Sequence, residues 1–396
     1  EWKKPRHKEP DFKEPESCLN DLKNLLGSLN ICSKEYIVRP YDHEVKGATV
    51  VKPFTGIKND GPSDASVIAP KIGSYQGLAV GHGICPRYSD IDAYHMSACA
   101  FDEMVRNIVA TGAKVPDKNN PVMWSVNDNF CCPDSIYDEN NNPSGKLKFA
   151  KIVRANKALY DYSTLYKIPL TSGKDSMKND FTYTDENGKK IKISIPLTIL
   201  YSGVCKIKDI RKCVTIDAKS PGDLVYILGR TKKELGASEY FHQKGFVGNN
   251  VPKVDGKTAL NLYKAIGNAM DKNLIESCHD CSDGGLGVSL AETAFSGGYG
   301  VYVDLSKIPK DNVYRSDYLL FSESQSRFIT TVRPENKEKF EETLRGNVFG
   351  MIGIIQKDPV FTIKKLDGKT EQINIQKLKT AWQKPLRFDL PLEKVR

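Results

Sequence analysis

Four short segments carry residue types and spacings suited to metal and phosphate chemistry. Glu103 and Asn107 stand four apart in a helical stretch. Four residues turn a helix about 400°, so both side chains share one face. A carboxylate and an amide oxygen there can hold a hard divalent cation. Arg106 is three residues from Glu103, and a solvated face with that ion pair is the commoner meaning of such spacing. His279-Asp280-Cys281-Ser282-Asp283-Gly284-Gly285-Leu286-Gly287 runs straight into an apolar helix. Asp283 is the expected N-cap, and the glycines let an anion approach the positive end of the helix dipole. Asp280, one turn earlier, offers a metal oxygen; the plainer alternative is a capped helix start with glycines needed for packing.

The Gly61-Pro62 turn delivers Asp64 to the mouth of a strand, to bind Mg²⁺ beside a nucleotide or simply to cap the turn. Thr171-Ser172-Gly173-Lys174-Asp175-Ser176-Met177 is tempting as a P-loop. That loop needs an earlier Gly and a hydroxyl directly after the Lys, where Ile168 and Asp175 stand instead. What remains is a strand end followed by a small polar turn whose N–H groups, with Lys174 and Ser176, can hold a phosphate. Three carboxylates, one Asn and two phosphate-friendly turns would together suit a Mg-nucleotide site.

The elements that must position these groups follow from periodicity and punctuation. Residues 1–16 hold ten charges and three prolines, which predicts an extended arm, with a short helix near 19–29. Strands are expected at 48–54, 65–69, 78–84 and 121–127, and helices at 91–111 and 147–166. Asp185-Glu186-Asn187-Gly188 predicts a hairpin between 181–184 and 190–201. Ser220-Pro221-Gly222 marks a boundary. Beyond it come strands at 223–228, 300–304, 327–332, 348–355 and 360–365, and helices at 257–273, 286–295 and 335–344.

Composition bounds the rest. There are 58 Lys+Arg against 49 Asp+Glu, a net charge of +9. Residues 364–396 alone hold nine basic and four acidic groups, so the excess is local and is no argument for nucleic acid. No apolar run approaches the ~20 residues of a membrane helix, and no secretory signal opens the chain. Glu1 stands where an initiator Met would, so an excised piece is expected. Ten cysteines include one CxxC (Cys278, Cys281) and adjacent Cys131-Cys132, with no second pair. Reduced core thiols are the expected state, and a zinc or redox protein is the last alternative.

Seven strings in order carry a resemblance: YDHEVKGATVVKPF at 41–54, GPSDASVIAP at 61–70, DEMVRNIVATGA at 102–113, WSVNDNF at 124–130, IPLTSGKDSMKND at 168–180, HDCSDGGLGVSLAE at 279–292 and LLFSESQSRF at 319–328. From about residue 35 to 385 the chain resembles the second synthetase half of the phosphoribosylformylglycinamidine synthase family, in the aminoimidazole ribonucleotide synthase-like superfamily. The resemblance implies an α+β fold: a linker and short helix at 1–34, a half-barrel-forming mixed domain at 35–214, an α/β domain at 215–385 and a tail at 386–396. It implies a cytoplasmic ATP-dependent ligase of purine biosynthesis that converts formylglycinamide ribonucleotide to its amidine with ammonia from glutamine.

Site residues transfer in two groups. Asp128 and Gly173 match nucleotide-contacting positions, and Ser176 a substrate-contacting one, of a main active site shared with the first half; Lys174 stands where smaller relatives have a metal-ligating Asn and is expected to bind a phosphate of the substrate instead. Asp64, Glu103, Asn107 and Asp280 match Mg²⁺ ligands of an auxiliary site, with Ser63 and Ser282 contacting ADP or ATP. Glu323-Ser324-Gln325 matches a substrate-binding string of the first half. No segment matches the family's catalytic His motif, and no glutaminase nucleophile is found, so no catalytic residue is assigned. The piece is expected to need the first synthetase half and a glutaminase domain as partners. Two alternatives remain: a non-catalytic, nucleotide-stabilised assembly module, and a self-sufficient homodimeric ATP-dependent relative.

Overall fold

The computed structural model describes residues 2–117 and 122–388. The chain begins with an extended arm, helix α1 (Cys18–Leu26) and the short α2 (Glu35–Val38). Then follow β1 (Thr49–Val51), β2 (Ala65–Ile68), β3 (Gly77–Gly83), α3 (Ala93–Ala110), β4 (Trp124–Cys131), α4 (Gly145–Tyr166), β5 (Leu170–Ser176), the hairpin β6 (Asp180–Thr184) and β7 (Lys190–Ser194), and β8 (Thr198–Ile207). They build an open six-stranded sheet in the order β1-β2-β3-β8-β4-β5, with the hairpin apart from it. The pleat explains β8: every second residue, from Ile199 to Ile207, is buried. The sheet is not closed into a barrel among the described residues.

The second part runs β9 (Leu224–Leu228), β10 (Thr231–Lys232), α5 (Glu239–Gln243), α6 (Gly256–Asp271), β11 (Ser277–Asp280), α7 (Gly285–Gly297), β12 (Gly300–Asp304), β13 (Lys310–Asp311), α8 (Ser316–Phe321), β14 (Phe328–Val332), α9 (Lys337–Thr343), β15 (Phe349–Gln356), β16 (Val360–Lys364), β17 (Thr370–Asn374) and α10 (Ile375–Gln383). Seven strands form one sheet, β11-β14-β9-β15-β12-β16-β17. Its ladders are antiparallel except the parallel β12–β16 pair.

Helix α3 joins the two parts. It touches β3, β8 and α4 on one side and β11 and α6 on the other. Fourteen of its eighteen residues are buried, the charged Asp102 and Arg106 among them, because neighbours cover it from both parts. Its close seat on the first sheet needs glycine: a Cβ on Gly83 would collide with the Ala100 carbonyl.

Several expectations change. The strand expected at 121–127 is β4, three residues later; Pro121 lies outside the described residues, as do 389–396 of the expected tail. The 171–177 segment is no turn but most of β5, paired in parallel with β4 despite its polar composition. The strand expected at 190–201 is two strands, because Pro196 interrupts the ladder between β7 and β8. The arm is extended but docked. Phe12 sits among Tyr240, Phe241, Phe246 and Tyr318 at 5.9–6.3 Å between ring centroids. Glu14 accepts from the Ser316 N–H, and Trp2 stacks on Arg154. All ten cysteines are free thiols, and no helix of the described residues is long and apolar enough to cross a membrane.

Candidate nucleotide and metal site

Strand β11 carries His279 and Asp280 to the sheet edge facing α3, and the turn before β2 brings Asp64 against them. Asp64 Oδ1 accepts from His279 Nδ1 at 2.6 Å and Asp64 Oδ2 from the Asp280 N–H at 3.0 Å. His279 Nε2 lies 2.8 Å from Glu292 of α7. Burial alone would lower the imidazole's pKa, but the charges of Asp64 and Glu292 overrule it and hold it well above its ordinary value. With both nitrogens donating, His279 organises the carboxylates and is no metal ligand in this state.

Arg106 lies fully enclosed on the other side of Asp280. Nη1 donates to Asp102 at 2.6 Å and Gln325 at 2.8 Å, Nη2 to Ser282 at 3.0 Å, and Nε approaches Asp280 at 3.4 Å. Asp102 also accepts from Tyr166, Tyr263 and Ser326. The expected solvated face with a Glu103–Arg106 pair is therefore wrong. The i,i+4 partner Asp102 takes the guanidinium, because α3 buries that face against the second sheet. Glu103 Oε2 instead accepts the Ile84 N–H at 2.8 Å. Burial, with the Asp280 charge adding to it and Arg106 opposing, pushes the Glu103 carboxyl up to about 7.

Asp64, Glu103 and Asp280, far apart in the chain, thus meet around one end of β11. Asp64, His279 and Asp280 place ligand-type atoms within 4.8 Å of one another. Asn107 donates its amide to the His82 carbonyl at 2.8 Å, and its buried Oδ1 has no hydrogen-bond partner. Asp280 Oδ1 accepts no hydrogen bond among the described residues, whereas Oδ2 takes Arg106 and Ser282. Clustered buried carboxylates, with an unpartnered amide oxygen one helical turn from Glu103, are donor types that fit a hard divalent cation. Asp64, Glu103, Asn107 and Asp280 would hold it. The two serines are turned inward: Ser63 donates to the Ala65 carbonyl at 2.9 Å, and Ser282 to Asp280.

The helix start also departs from expectation. Gly284, at φ +75°, is the N-cap of α7, and Asp283 makes no capping bond. The Gly284 N–H donates to Glu323 Oε1 at 2.9 Å, so a carboxylate of the protein already occupies this first donor. Glu323 also accepts from Tyr88 at 2.7 Å and from the Glu239 N–H at 2.9 Å. Ser324 binds the Lys232 N–H, and Gln325 bridges Arg106 and the Glu323 carbonyl. Glu323-Ser324-Gln325 is buried and satisfied from within. Periodicity gave no sign of His279, Glu292 or Glu323 as organisers; only the HDCSDGG string placed His279 near the site.

The second group lies apart from this cluster, across the first sheet. Asp128 of β4 faces Gly173 of β5, Asn129 faces Lys174, and Cys131 faces Ser176. A Cβ on Gly173 would run into the Asp128 carboxylate and push it aside. Burial raises the Asp128 carboxyl, and the Asp175 charge adds to the shift. Ser176 Oγ donates to Asn179 at 2.9 Å. Phe181, Tyr183 and Ile193 of the neighbouring hairpin are exposed.

Residues 220–365 match the AIR synthase related protein, C-terminal domain. The chain is 33% identical over 351 residues to the phosphoribosylformylglycinamidine synthase subunit PurL of Thermococcus sibiricus, covering 88% of this chain and 44% of that protein. It is 33% identical over 371 residues to PurL of Alkaliphilus metalliredigens, covering 91% and 45%. Among solved structures, T. maritima PurL complexed with FGAR superposes with a TM-score of 0.66 at 17% identity, over 93% of this chain and 54% of that one. T. maritima PurL complexed with ATP superposes with a TM-score of 0.62 at 17% identity, over 93% and 53%. The chain spans about half the length of the relatives it matches. Residues 220–365 thus match the AIR synthase related C-terminal domain, and the chain as a whole is similar to about half of a phosphoribosylformylglycinamidine synthase subunit.

Proposed function

We propose that the chain is the second synthetase half of a phosphoribosylformylglycinamidine synthase, the ATP-dependent ligase that makes formylglycinamidine ribonucleotide in purine biosynthesis. In this reading 35–214 and 215–385 are its two domains. Asp64, Glu103, Asn107 and Asp280 hold Mg²⁺, and Ser63 and Ser282 turn outward to an ADP or ATP at an auxiliary site. Mg²⁺ would neutralise the polyphosphate there. Asp128, Gly173, Lys174 and Ser176 form a rim that completes the main active site when the first half docks on the exposed β5 and hairpin face. An ammonium ion cannot ligate a metal, so Lys174 meets a phosphate. Ammonia reaches that site from a glutaminase domain.

The observation that supports this reading best is the cluster of Asp64, His279 and Asp280, whose ligand-type atoms lie within 4.8 Å of one another. A thermal titration of the full chain with Mg-ADP tests it. Binding to the folded state at a hundredfold Kd stabilises by about 2.7 kcal/mol. The Asp280→Asn variant should lose that gain. A flat response in the folded wild-type chain would overturn the auxiliary site.

The closed Glu323-Ser324-Gln325 string favours a second reading, a nucleotide-stabilised assembly module without catalytic contribution. Mixing with the first half, ATP, substrate and ammonium separates the two. Amidine product supports the composite site, and stabilisation by Mg-ADP without product supports the module. ATP turnover by the chain alone would instead favour a self-sufficient homodimer.

A further inference from the structure

Helix α7 is buried over its whole length, and Glu292 is its one charged residue. A carboxylate in such a place is costly unless it is paired. Among the described residues its side chain has a single partner, His279 Nε2 at 2.8 Å. The other imidazole nitrogen, Nδ1, donates to Asp64 Oδ1 at 2.6 Å. All three side chains are at most 10% exposed. Asp64 stands in the turn before β2, in the first part of the fold, yet both hydrogen bonds to its carboxylate come from the second part. His279 Nδ1 takes one oxygen, and the Asp280 N–H takes the other at 3.0 Å. Two donors on two oxygens fix the plane of a carboxylate, whereas the Asp280 N–H alone would leave it free to turn. Well-packed apolar side chains would often stabilise a fold as well as a buried ionic trio does. They would not give Asp64 a fixed orientation.

We propose that His279, anchored by Glu292, is a positioning residue of the candidate metal site: it fixes the orientation in which the Asp64 carboxylate meets a divalent cation. The inference rests on the Mg-nucleotide reading above and adds to it two residues that ligate neither metal nor nucleotide. Outer-shell partners of this kind set metal affinity by orienting the ligands, and their loss costs about 10–100-fold.

Calorimetry of the full chain tests the proposal, with ADP titrated in the presence and in the absence of Mg²⁺; the ratio of the two affinities is the Mg²⁺ gain. His279→Asn places an amide nitrogen as many bonds from the backbone as Nδ1, and His279→Gln one as many as Nε2. Both side chains are neutral, so the two variants differ in geometry and not in net charge. The Asn variant keeps the donor to Asp64 and should show a Mg²⁺ gain about tenfold larger than the Gln variant, which keeps only the Glu292 contact. Glu292→Gln and Glu292→Leu form a second pair, read in chains that retain their circular dichroism. Gln still accepts from His279 Nε2 and should keep the gain, while Leu should lose it about tenfold. Equal gains within each pair, beside a wild-type chain that shows one, would overturn the role of His279 and leave the auxiliary site standing. So would a loss of ADP affinity that is the same with and without Mg²⁺. A folded wild-type chain to which Mg²⁺ adds nothing would instead sink the Mg-nucleotide reading, and this inference with it.

Discussion

Replacing Arg106 with Met probes the buried network that joins the two sheets to the candidate site. Methionine roughly fills the stem but brings no donor. Asp102 would keep three hydroxyl donors, from Tyr166 at 2.6 Å, Tyr263 at 2.6 Å and Ser326 at 2.9 Å. Asp280 would lose the guanidinium but keep Ser282 and the His279 charge at 3.9 Å, with Asp64 still beside it. Removing one partner of a buried pair costs about 3–5 kcal/mol. The hydroxyls cushion Asp102 and the His279 charge cushions Asp280, so the expected loss sits at the lower figure, about 3 kcal/mol. Arg106→Lys keeps the charge but lacks the planar fork, and losing one charge-assisted bond puts its cost at about 2 kcal/mol. Urea unfolding followed by tryptophan fluorescence and circular dichroism reads both, and coincident curves test for two-state behaviour. If Mg²⁺ replaces the guanidinium beside Asp280, Mg-ADP should recover part of the loss in the Met variant. A loss below about 1 kcal/mol for Arg106→Met would refute the reasoning, because it would mean the carboxylates need no buried cation.

Three further outcomes are expected. Gly83→Ala should cost about 3 kcal/mol, because the new Cβ meets the backbone carbonyl of Ala100, which cannot move without α3; an unchanged urea midpoint would deny the close helix–sheet seat. Phe12→Ala should cost about 2 kcal/mol, less than full burial of the ring would imply, and should speed tryptic cleavage after Lys8 and Lys13; unchanged cleavage would mean the arm is not docked. Burial lowers the His95 pKa, so its imidazole stays neutral in the folded chain while in the unfolded chain it takes a proton below about 6.5, and stability is lost as pH falls from there. His95→Gln should flatten that acid slope relative to wild type in urea midpoints between pH 5 and 8, and parallel slopes would count against it.

Much of the fold was legible where one element's own pattern decides it. The apolar run of α3, the alternation of β8 and the Asp-Glu-Asn-Gly turn of the β6–β7 hairpin each carry their answer locally. Residue type also marked Asp64, Glu103 and Asp280 as oxygen ligands, but only the family resemblance grouped them, since spacing says nothing about elements more than a hundred residues apart. What was missed depends on partners from a distance. Asp283 fits every rule for an N-cap, yet Glu323 delivers its carboxylate to Gly284 from another loop. Arg106 lies within reach of both Asp102 and Glu103, and burial against the second sheet, invisible locally, chooses Asp102.

Strand β5 shows how the two kinds of knowledge combine. Its polar residues have poor strand propensity, and the parallel ladder with β4 alone makes it a strand. It is also the edge of the first sheet, with Leu170 and the neighbouring Phe181 and Ile193 left exposed. A bare edge beside apolar side chains invites another chain to pair with it. Lys174 and Asp175 on that edge are charges of the kind that hinder indiscriminate pairing. Burial already raises Asp128 beside them, which means the rim is half enclosed before anything docks. A surface that resists random strands yet keeps a carboxylate and a glycine in fixed register is suited to one specific cover. In the proposed reading that cover is the first synthetase half, and Gly173→Ala, which must displace Asp128, should abolish amidine formation in the two-half assay while leaving stabilisation by Mg-ADP intact.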